Sequence, residues 1–414
     1  MTVLSNMRSH LLQRKPGFSL EQPFYNDQAY YDLDIEYIWN RSWLFAGMTA
    51  DIPKAGDYFT MQVGKSSIVV VRDQDNSINA VFNTCRHRGS KLCLKEKGNS
   101  PKLVCPYHQW TYNLDGSLLF AGNMGPEFNA SEYPLKKVHL ETVAGYIFVC
   151  LAENAPDFTN FRRDVEPYLI PHDLENAKVA FETTILEKAN WKLVIENNRE
   201  CYHCAGSHPE LLNTLAEFDN TDDPRIDPRY VSILDQKAKD WDALGLPHRP
   251  TPVDLRYRAV RLPFINGAKS MTIDGSPACE KLMGNLTDRD LGSVRMLSLP
   301  NSWNHVQSDH CLAFRVLPVG PEETLVTTKW LVHKDAVEGK DYDIDKMTKV
   351  WIATNEQDRK LAEDNQQGIN SIAYEPGPYS ESIEFGVRNF IDWYCGEMLL
   401  QMPKEEPDLT LISA

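Results

Sequence analysis

The chain has 414 residues, of which 42% are hydrophobic and 24% charged, and its formal net charge at pH 7 is −15. This length and composition are typical of a protein with two or three domains and a sizeable buried core. The acidic balance argues against nucleic-acid binding, and no apolar run reaches the roughly 18 residues of a membrane span. The N-terminal stretch lacks a signal-peptide core, and nine cysteines predict a reducing compartment in which thiols are free or bind metal, so we expect a cytoplasmic protein.

Residues 1–42 are predicted to form a helical N-terminal segment that packs on the catalytic domain. Ile35, Ile38 and Trp39 recur at a spacing that places them on one helix face, with Asp34 as a possible helix cap.

Residues 43–158 change to short β-branched runs separated by turn residues, which predicts an all-β domain. The runs at 66–73 and 78–85 flank a polar turn and indicate a hairpin. The segment at 145–154 predicts another buried strand. A join rich in breaker residues follows, at 152–161.

This β domain contains two short metal-binding patterns. Cys85 and His87 form the first, Cys105 and His108 the second, and each pair follows a strand where a loop can present ligands. One interpretation is a structural zinc site, although zinc sites usually group like ligands within each arm. The mixed arms favour a binuclear cluster in which two thiolates hold one iron and two imidazoles the other. The remaining single cysteines are interpreted as small buried hydrophobes: Cys93, Cys150, Cys279, Cys311 and Cys395.

Residues 159–414 are predicted to form an α+β domain. Consecutive antiparallel strands are expected at 291–300, 309–320 and 323–335, followed by a long helix within 341–371. The stretch 219–290 has little periodicity, and we interpret it either as loops around a substrate entrance or as a connector.

A third metal-binding pattern lies between Asn190 and Glu210. It places Glu200, His203 and His208 close together after an apolar helical run. Two histidines and one carboxylate form the facial triad of a mononuclear non-haem Fe(II) site, which leaves coordination positions open for dioxygen. The alternative is an ordinary polar helix end.

The sequence resembles a known family at these motifs. CRHRG and CPYHQWTYNLDG are similar to the paired loops of Rieske [2Fe–2S] domains, and NNRECYHCAGSHP is similar to the iron motif of Rieske non-haem iron oxygenases. The flanking segments resemble the branch that acts on quaternary ammonium compounds. Two positions depart from the pattern: Glu200 stands where many members have Asp, and Gln109 where Gly is common.

The resemblance implies a helix-grip catalytic fold, in which helices at 191–203 and 347–368 pack on one sheet face. It also implies that Asp358 is the third ligand of the mononuclear iron. Asp364 is the chief rival, whereas Glu356 and Glu363 are interpreted as solvated helix charges.

The resemblance further implies a homotrimer in which one subunit's cluster faces the next subunit's iron. Glu200 would then bridge the iron ligand His203 and a cluster histidine, His108, across the interface. Electrons would come from a separate reductase with flavin, an iron–sulfur cluster and NAD(P)H, because this chain has no Gly-x-Gly-x-x-Gly fingerprint.

The expected function is therefore that of a terminal oxygenase that hydroxylates an N-methyl carbon of a quaternary ammonium compound, with release of formaldehyde. Glycine betaine is the favoured substrate, with stachydrine or carnitine oxidation and aromatic-ring dihydroxylation as alternatives. A Rieske electron carrier is the alternative from another class of protein. Aromatic side chains should surround the substrate cation, and Trp303, Tyr202 and Phe264 are the candidates.

Overall fold

Four consecutive helical segments begin the chain in the computed structural model, which describes residues 2–217 and 226–403. They are α1 (Val3–Gln13), α2 (Pro23–Asn26), α3 (Gln28–Asp34) and a π-helical turn (Ile35–Trp39). The predicted helical character of this segment is confirmed.

The prediction that Asp34 caps a helix is wrong. The N-cap of α3 is Asp27, whose carboxylate accepts hydrogen bonds from the backbone amides at the start of the helix. Asp34 lies at the other end of α3 and is completely buried. Its carboxylate accepts hydrogen bonds from the Trp191 indole at 3.0 Å and the Tyr394 hydroxyl at 2.6 Å, and it pairs with the Lys192 ammonium. Asp34 therefore fastens the N-terminal segment to the core.

The next part of the chain contains ten short strands. They are β1 (Leu44–Met48), β2 (Asp57–Val63), β3 (Ser66–Arg72), β4 (Ile78–Phe82), β5 (Lys97–Asn99), β6 (Leu103–Val104), β7 (Thr111–Tyr112), β8 (Leu118–Phe120), β9 (His139–Val143) and β10 (Tyr146–Cys150). They form three sheets with the strand orders β1-β10-β9, β4-β3-β2-β5 and β6-β7-β8. The predicted hairpin is confirmed, because β3 and β4 pair in register from Ile68 opposite Phe82 to Arg72 opposite Ile78.

The rest of the chain combines helices with one large sheet. The helices are α4 (Thr159–Leu169), α5 (Trp191–Asn198), α6 (Cys204–Ser207), α7 (Pro228–Ala243), α8 (Ile344–Ile369) and α9 (Phe385–Gln401). The strands are β11 (Ala177–Glu187), β12 (Tyr257–Leu262), β13 (Ser293–Ser298), β14 (Ser302–Val306), β15 (Cys311–Gly320) and β16 (Glu323–His333). Their order is β11-β16-β15-β14-β13-β12, and every pairing is antiparallel.

The two faces of this sheet carry different partners because successive side chains point to opposite sides. On one face, the Trp351 ring of α8 contacts His305 and Phe314, with ring centroids 4.8 and 4.9 Å apart. On the other face, Tyr257 packs against Phe161 of α4, at a centroid distance of 5.2 Å. The long helix α8 therefore lies across the face that also carries the candidate site.

The stretch 219–290 is more regular than predicted. It contains helix α7, which begins with an Asp227 cap and Pro228 in its first turn, and it contains strand β12. Only Tyr230 and Trp241 of α7 are buried, so its apolar periodicity is too weak to reveal the helix. The first residues of the stretch, up to 225, lie outside the described residues.

Seven cysteines are free thiols and buried, including the five expected to be small hydrophobes. Cys201 and Cys204 instead form a disulfide, with their Cα atoms 5.0 Å apart, which joins the turn after α5 to the first residue of α6. The expectation that all nine are free or metal-bound is wrong for this pair, because the turn brings two residues three positions apart into bonding range. No helix in the described ranges is long and apolar enough to cross a membrane.

Candidate active site

The two cluster-binding loops share one backbone pattern. The Gly89 amide donates to the Cys85 carbonyl at 2.9 Å, and the Gln109 amide donates to the Cys105 carbonyl at 3.0 Å. Both cysteines are buried, whereas His87 and His108 are exposed, with their ring centroids 4.7 Å apart. The loops therefore bring two thiols and two imidazoles to one end of the β domain, with the sulfur atoms on the inner side.

The same backbone pattern explains why glycine suits the positions of Gly89 and Gln109, which follow the two cluster histidines. Gly89 has a φ of 79° and Gln109 a φ of 60°, so both occupy the left-handed region at the same point of their loops. A side chain is strained there and glycine is not, which accounts for the family preference from which Gln109 departs. The loop accommodates Gln109 without losing its hydrogen bond to the Cys105 carbonyl.

Two aromatic residues support the loops. The Tyr112 hydroxyl lies 3.4 Å from the Cys85 sulfur and accepts a hydrogen bond from the Arg86 amide at 3.1 Å. Trp110 stacks on the His87 ring at a centroid distance of 4.8 Å. The donor set of two buried sulfurs and two outer imidazoles fits a Rieske cluster.

The second group of candidate ligands comes from two separate parts of the chain. The break between α5 and α6 lets His203 and His208 face each other, with their Nε2 atoms 3.0 Å apart. Asp358 of α8 approaches both histidines. Its Oδ1 lies 2.9 Å from the His208 Nε2 and 3.3 Å from the His203 Nε2.

This triangle has the dimensions of three facial ligands. Bonds of about 2.1 Å at right angles require ligand atoms about 3.0 Å apart, and the three measured edges are 2.9, 3.0 and 3.3 Å. The opposite face of such a site is open. The residues present therefore fit a mononuclear iron.

Hydrogen bonds fix how both imidazoles point. The Nδ1 of His203 lies 2.6 Å from Glu200 Oε1, and the Nδ1 of His208 lies 2.8 Å from Gln357 Oε1. Gln357 in turn donates to Glu210 at 3.2 Å. Because the Nδ1 atoms face these acceptors, the Nε2 atoms are directed at the common point. Sequence reasoning missed Gln357 and Glu210, which no motif distinguishes from other polar residues.

The charges of the site favour a bound cation. Burial opposes protonation of His203, but hydrogen bonds with Asp358 and Glu200 outweigh it and raise the pKa of His203 to about 9. Burial would raise the pKa of Asp358, but the same hydrogen bonds with His203 and His208 lower it. These three groups therefore stabilise positive charge at their common point, which a bound metal ion would supply.

The rival ligands lie elsewhere. Asp364 is exposed and pairs with Lys360 at 2.5 Å, and Glu356 is an exposed partner of Arg359. Glu363 accepts a hydrogen bond from the Lys188 amide at 3.1 Å. The Cys204 sulfur lies near the two imidazoles, but its disulfide removes the thiolate that a metal would need.

A cavity of about 220 Å³ opens beside the three candidate ligands. Its walls come from the face of the sheet that carries Trp303 and His305, from α8 and from the start of α9. Trp303 lines the cavity as predicted. Phe264 is a core residue and Tyr202 is 58% exposed, and neither lines this cavity, so the expectation for these two is wrong.

The fold and the two ligand groups define an oxygenase that combines a Rieske cluster with a mononuclear iron. The chain matches the Rieske [2Fe–2S] domain over residues 42–134 and the catalytic domain of the ring-hydroxylating alpha subunit over residues 174–399. It belongs to the family of Rieske non-haem iron oxygenase alpha subunits, and the predicted fold class, cofactors and family are confirmed.

The particular relatives are informative. The chain is 54% identical to the glycine betaine monooxygenase oxygenase subunit of Pseudomonas aeruginosa, over 95% of this chain and 92% of that protein. It is 53% identical to the corresponding subunit of Chromohalobacter salexigens, over 97% of this chain and 91% of that protein. Among solved structures, the quaternary ammonium Rieske monooxygenase CntA aligns with a TM-score of 0.72 and 20% identity, over 94% of this chain and 98% of that one.

Proposed function

We propose that this chain is the terminal oxygenase component of a system that hydroxylates an N-methyl group of glycine betaine, giving dimethylglycine and formaldehyde. The observation that carries the proposal is the facial triangle of His203, His208 and Asp358 beside a cavity with aromatic walls. Two glycine betaine monooxygenase oxygenase subunits share more than half of their residues with this chain over nearly its full length, which supports glycine betaine as the substrate.

Each ligand group then has a role. His203, His208 and Asp358 hold the mononuclear iron, which supplies dioxygen activation when it is bound. Cys85 and Cys105 hold one iron of the cluster, and two imidazoles hold the other. These imidazoles are His87 and His108. We propose that residues 1–42 form the N-terminal segment, residues 43–158 the Rieske domain and residues 159–414 the catalytic domain.

The chemistry suits a quaternary nitrogen. Such a nitrogen has no lone pair, so oxidative removal of a methyl group requires direct attack on a C–H bond. One oxygen atom of O2 enters that bond as a hydroxyl group, and two electrons and two protons reduce the other to water. The N-hydroxymethyl product then breaks its C–N bond, the nitrogen keeps the electron pair, and formaldehyde and a proton leave.

The electrons require partners. A reductase with flavin, its own iron–sulfur centre and NAD(P)H would supply them, and we propose a cytoplasmic homotrimer in which each cluster serves the iron of the next subunit. Glu200 would connect His203 to the partner's cluster histidine. Its hydrogen bond to the His203 Nδ1 at 2.6 Å supports this role.

The substrate is tested by reconstituting the oxygenase with a reductase and NAD(P)H. We expect formaldehyde and dimethylglycine from glycine betaine, in equal amounts. Faster turnover of stachydrine or carnitine would change the substrate, and cis-diol formation from an aromatic ring without formaldehyde would refute the proposal. Cluster reduction without any oxygenated product would instead indicate an electron carrier.

The bridging role is tested with Glu200→Gln. We expect this variant to keep both metal centres and a reducible cluster, while turnover falls strongly because the carboxylate acceptor is lost. Turnover close to that of the parent enzyme would show that Glu200 only orients His203. Single-turnover kinetics of cluster reoxidation separate the two cases.

A further inference from the structure

The register of the large sheet collects two rows of side chains on the cavity wall. In the first row, Arg258 of β12 lies opposite Leu297 of β13, which lies opposite Trp303 of β14. In the second, Val260 lies opposite Arg295, which lies opposite His305. All six line the cavity. The sheet therefore combines aromatic rings and guanidinium groups on the wall that faces the candidate iron ligands.

Arg258 is a charged group without a counter-ion in the described part of the chain. Its guanidinium makes no hydrogen bond or ion pair there, and the guanidinium of Arg199, at the end of α5, also has none. Burial lowers the pKa of Arg258. For Arg199, burial and the neighbouring Arg258 charge lower the pKa to about 10, so its guanidinium remains protonated at neutral pH. Arginine side chains keep their charge in proteins, so Arg258 is a cation too. Two half-buried cations side by side are unfavourable unless an anion joins them.

The position of this arginine pair within the cavity predicts how a bound ligand is oriented. Arg199 and Arg258 also line an adjacent cavity of about 530 Å³ between α9 and the 250–257 segment, whereas the candidate iron ligands line only the inner one. The pair therefore lies where the two cavities meet. A ligand whose anionic end stays at this junction directs its other end toward the iron.

The inner wall is largely aromatic, and Arg295 is its charged member, opposite His305. Trp303, His305 and Trp351 line it, and Phe314 stacks behind Trp303 at a centroid distance of 5.1 Å. Burial and the neighbouring Arg295 charge lower the pKa of His305 well below its ordinary value, so this imidazole is neutral and adds no positive charge to the wall. The Trp303 Nε1 and the His305 Nδ1 are buried and make no hydrogen bond in the described ranges, which marks this wall as one side of a ligand site. Aromatic faces attract quaternary ammonium groups.

We propose that Arg258, assisted by Arg199, holds the substrate carboxylate, and that the aromatic wall holds the quaternary ammonium with a methyl group toward the iron. The inference rests on the proposed function and adds a specificity determinant to it: the substrate must be a zwitterion. Choline has the same trimethylammonium head but a hydroxyl in place of the carboxylate. It would place a third positive charge near the two guanidiniums without an anion between them, and the site therefore rejects it.

The first test needs no variant and compares the binding of two ligands to the holoenzyme. Isothermal titration calorimetry with glycine betaine should show binding, and choline at the same concentrations should show none. Formaldehyde release in the reconstituted system should follow the same order. Choline that binds and turns over as well as glycine betaine overturns the inference, and this result leaves the N-demethylation proposal intact.

The variant test replaces Arg258 by methionine, which keeps an unbranched apolar stem and removes the charge. Loss of a charge-assisted hydrogen bond predicts a Kd and KM for glycine betaine about ten- to a hundredfold higher, with Arg258→Lys restoring part of the loss. Arg256→Met is the matched control, since Arg256 pairs with Asp254 at 2.7 Å, lies outside the cavity and is two residues away. Equal KM values in Arg258→Met and Arg256→Met overturn the inference. Absence of formaldehyde from every betaine in the parent enzyme refutes the proposed function, while the titrations still decide whether a carboxylate is required.

Discussion

Replacing Lys192 by methionine tests what fastens the N-terminal segment to the helix that leads to His203. The side chains of Lys192 and Asp34 are completely buried and form an ion pair. Burial lowers the pKa of Lys192, while the Asp34 charge opposes this effect. Asp34 also accepts from Trp191 and Tyr394, so Lys192→Met leaves a hydrogen-bonded carboxylate without its counter-ion.

The expected cost follows from this burial. Breaking one side of a buried ion pair costs about 3–5 kcal/mol, whereas replacing the whole pair is often nearly neutral. Trp191 and Tyr394 donate to different oxygens of Asp34, so Asp34→Asn keeps an acceptor for only one of them. It also leaves the ammonium unpaired, so it should cost at least as much. The double variant Lys192→Met with Asp34→Asn removes both charges. Its free energy of unfolding should therefore lie closer to the parent value than either single variant.

Thermal and guanidinium unfolding of the four proteins, with ellipticity and the cluster absorbance as probes, measures these differences. The exposed pair Lys360–Asp364, with side chains 74% and 57% exposed, provides the control, and Lys360→Met should cost about 0–1 kcal/mol. The reasoning would be refuted if the double variant lost as much free energy of unfolding as the two single variants together. It would also be refuted if Lys192→Met were as stable as Lys360→Met.

Three further outcomes are expected. Burial raises the pKa of Glu196 to about 7. A carboxyl group whose pKa is higher in the folded than in the unfolded protein makes the protein less stable as the pH rises from the unfolded to the folded pKa. The Tm of Glu196→Gln should therefore rise relative to that of the parent between pH 4.5 and 7, and a constant difference would contradict this. Tyr112→Phe removes the hydroxyl that lies 3.4 Å from the Cys85 sulfur, so redox titration should give a lower cluster potential, and an unchanged potential would exclude this hydrogen bond as a determinant. Gly89→Ala should lower the free energy of unfolding by about 1–2 kcal/mol, because residue 89 has a φ of 79°. Gln109→Gly, at the corresponding point of the other loop, should leave the free energy of unfolding unchanged or raise it. The reverse order of stability would show that φ does not set the strain of these loops.

The sequence predicted the strongly patterned parts of the fold. The β3–β4 hairpin, strand β10 and the strands near 293–298, 311–320 and 323–333 follow from short runs rich in apolar residues and bounded by turn residues. Strands β11 and β14 were not predicted. Strand β14 has five residues, all buried and several of them polar, so it shows neither alternation nor an apolar run.

The candidate site was predictable only where a local motif exists. His203 and His208 stand five residues apart, and the family resemblance singled out Asp358, which lies 2.9 Å from His208 through a contact that no local spacing reveals. The carboxylate-binding candidates could not be selected from the sequence, because the chain has 43 lysines and arginines. Arg258 becomes distinctive only when the sheet register places it beside Leu297 and Trp303.

The central claim is that two separate metal centres occupy this chain, and metal analysis of three variants tests it most directly. The parent protein should contain about three irons per chain, two of them in a cluster with acid-labile sulfide. Asp358→Ala should lose one iron and keep the cluster spectrum, Asp364→Ala should keep all three, and His87→Ala should lose the cluster while retaining the mononuclear iron. Stoichiometric zinc without sulfide, or an active Asp358→Ala beside an inactive Asp364→Ala, would contradict the account.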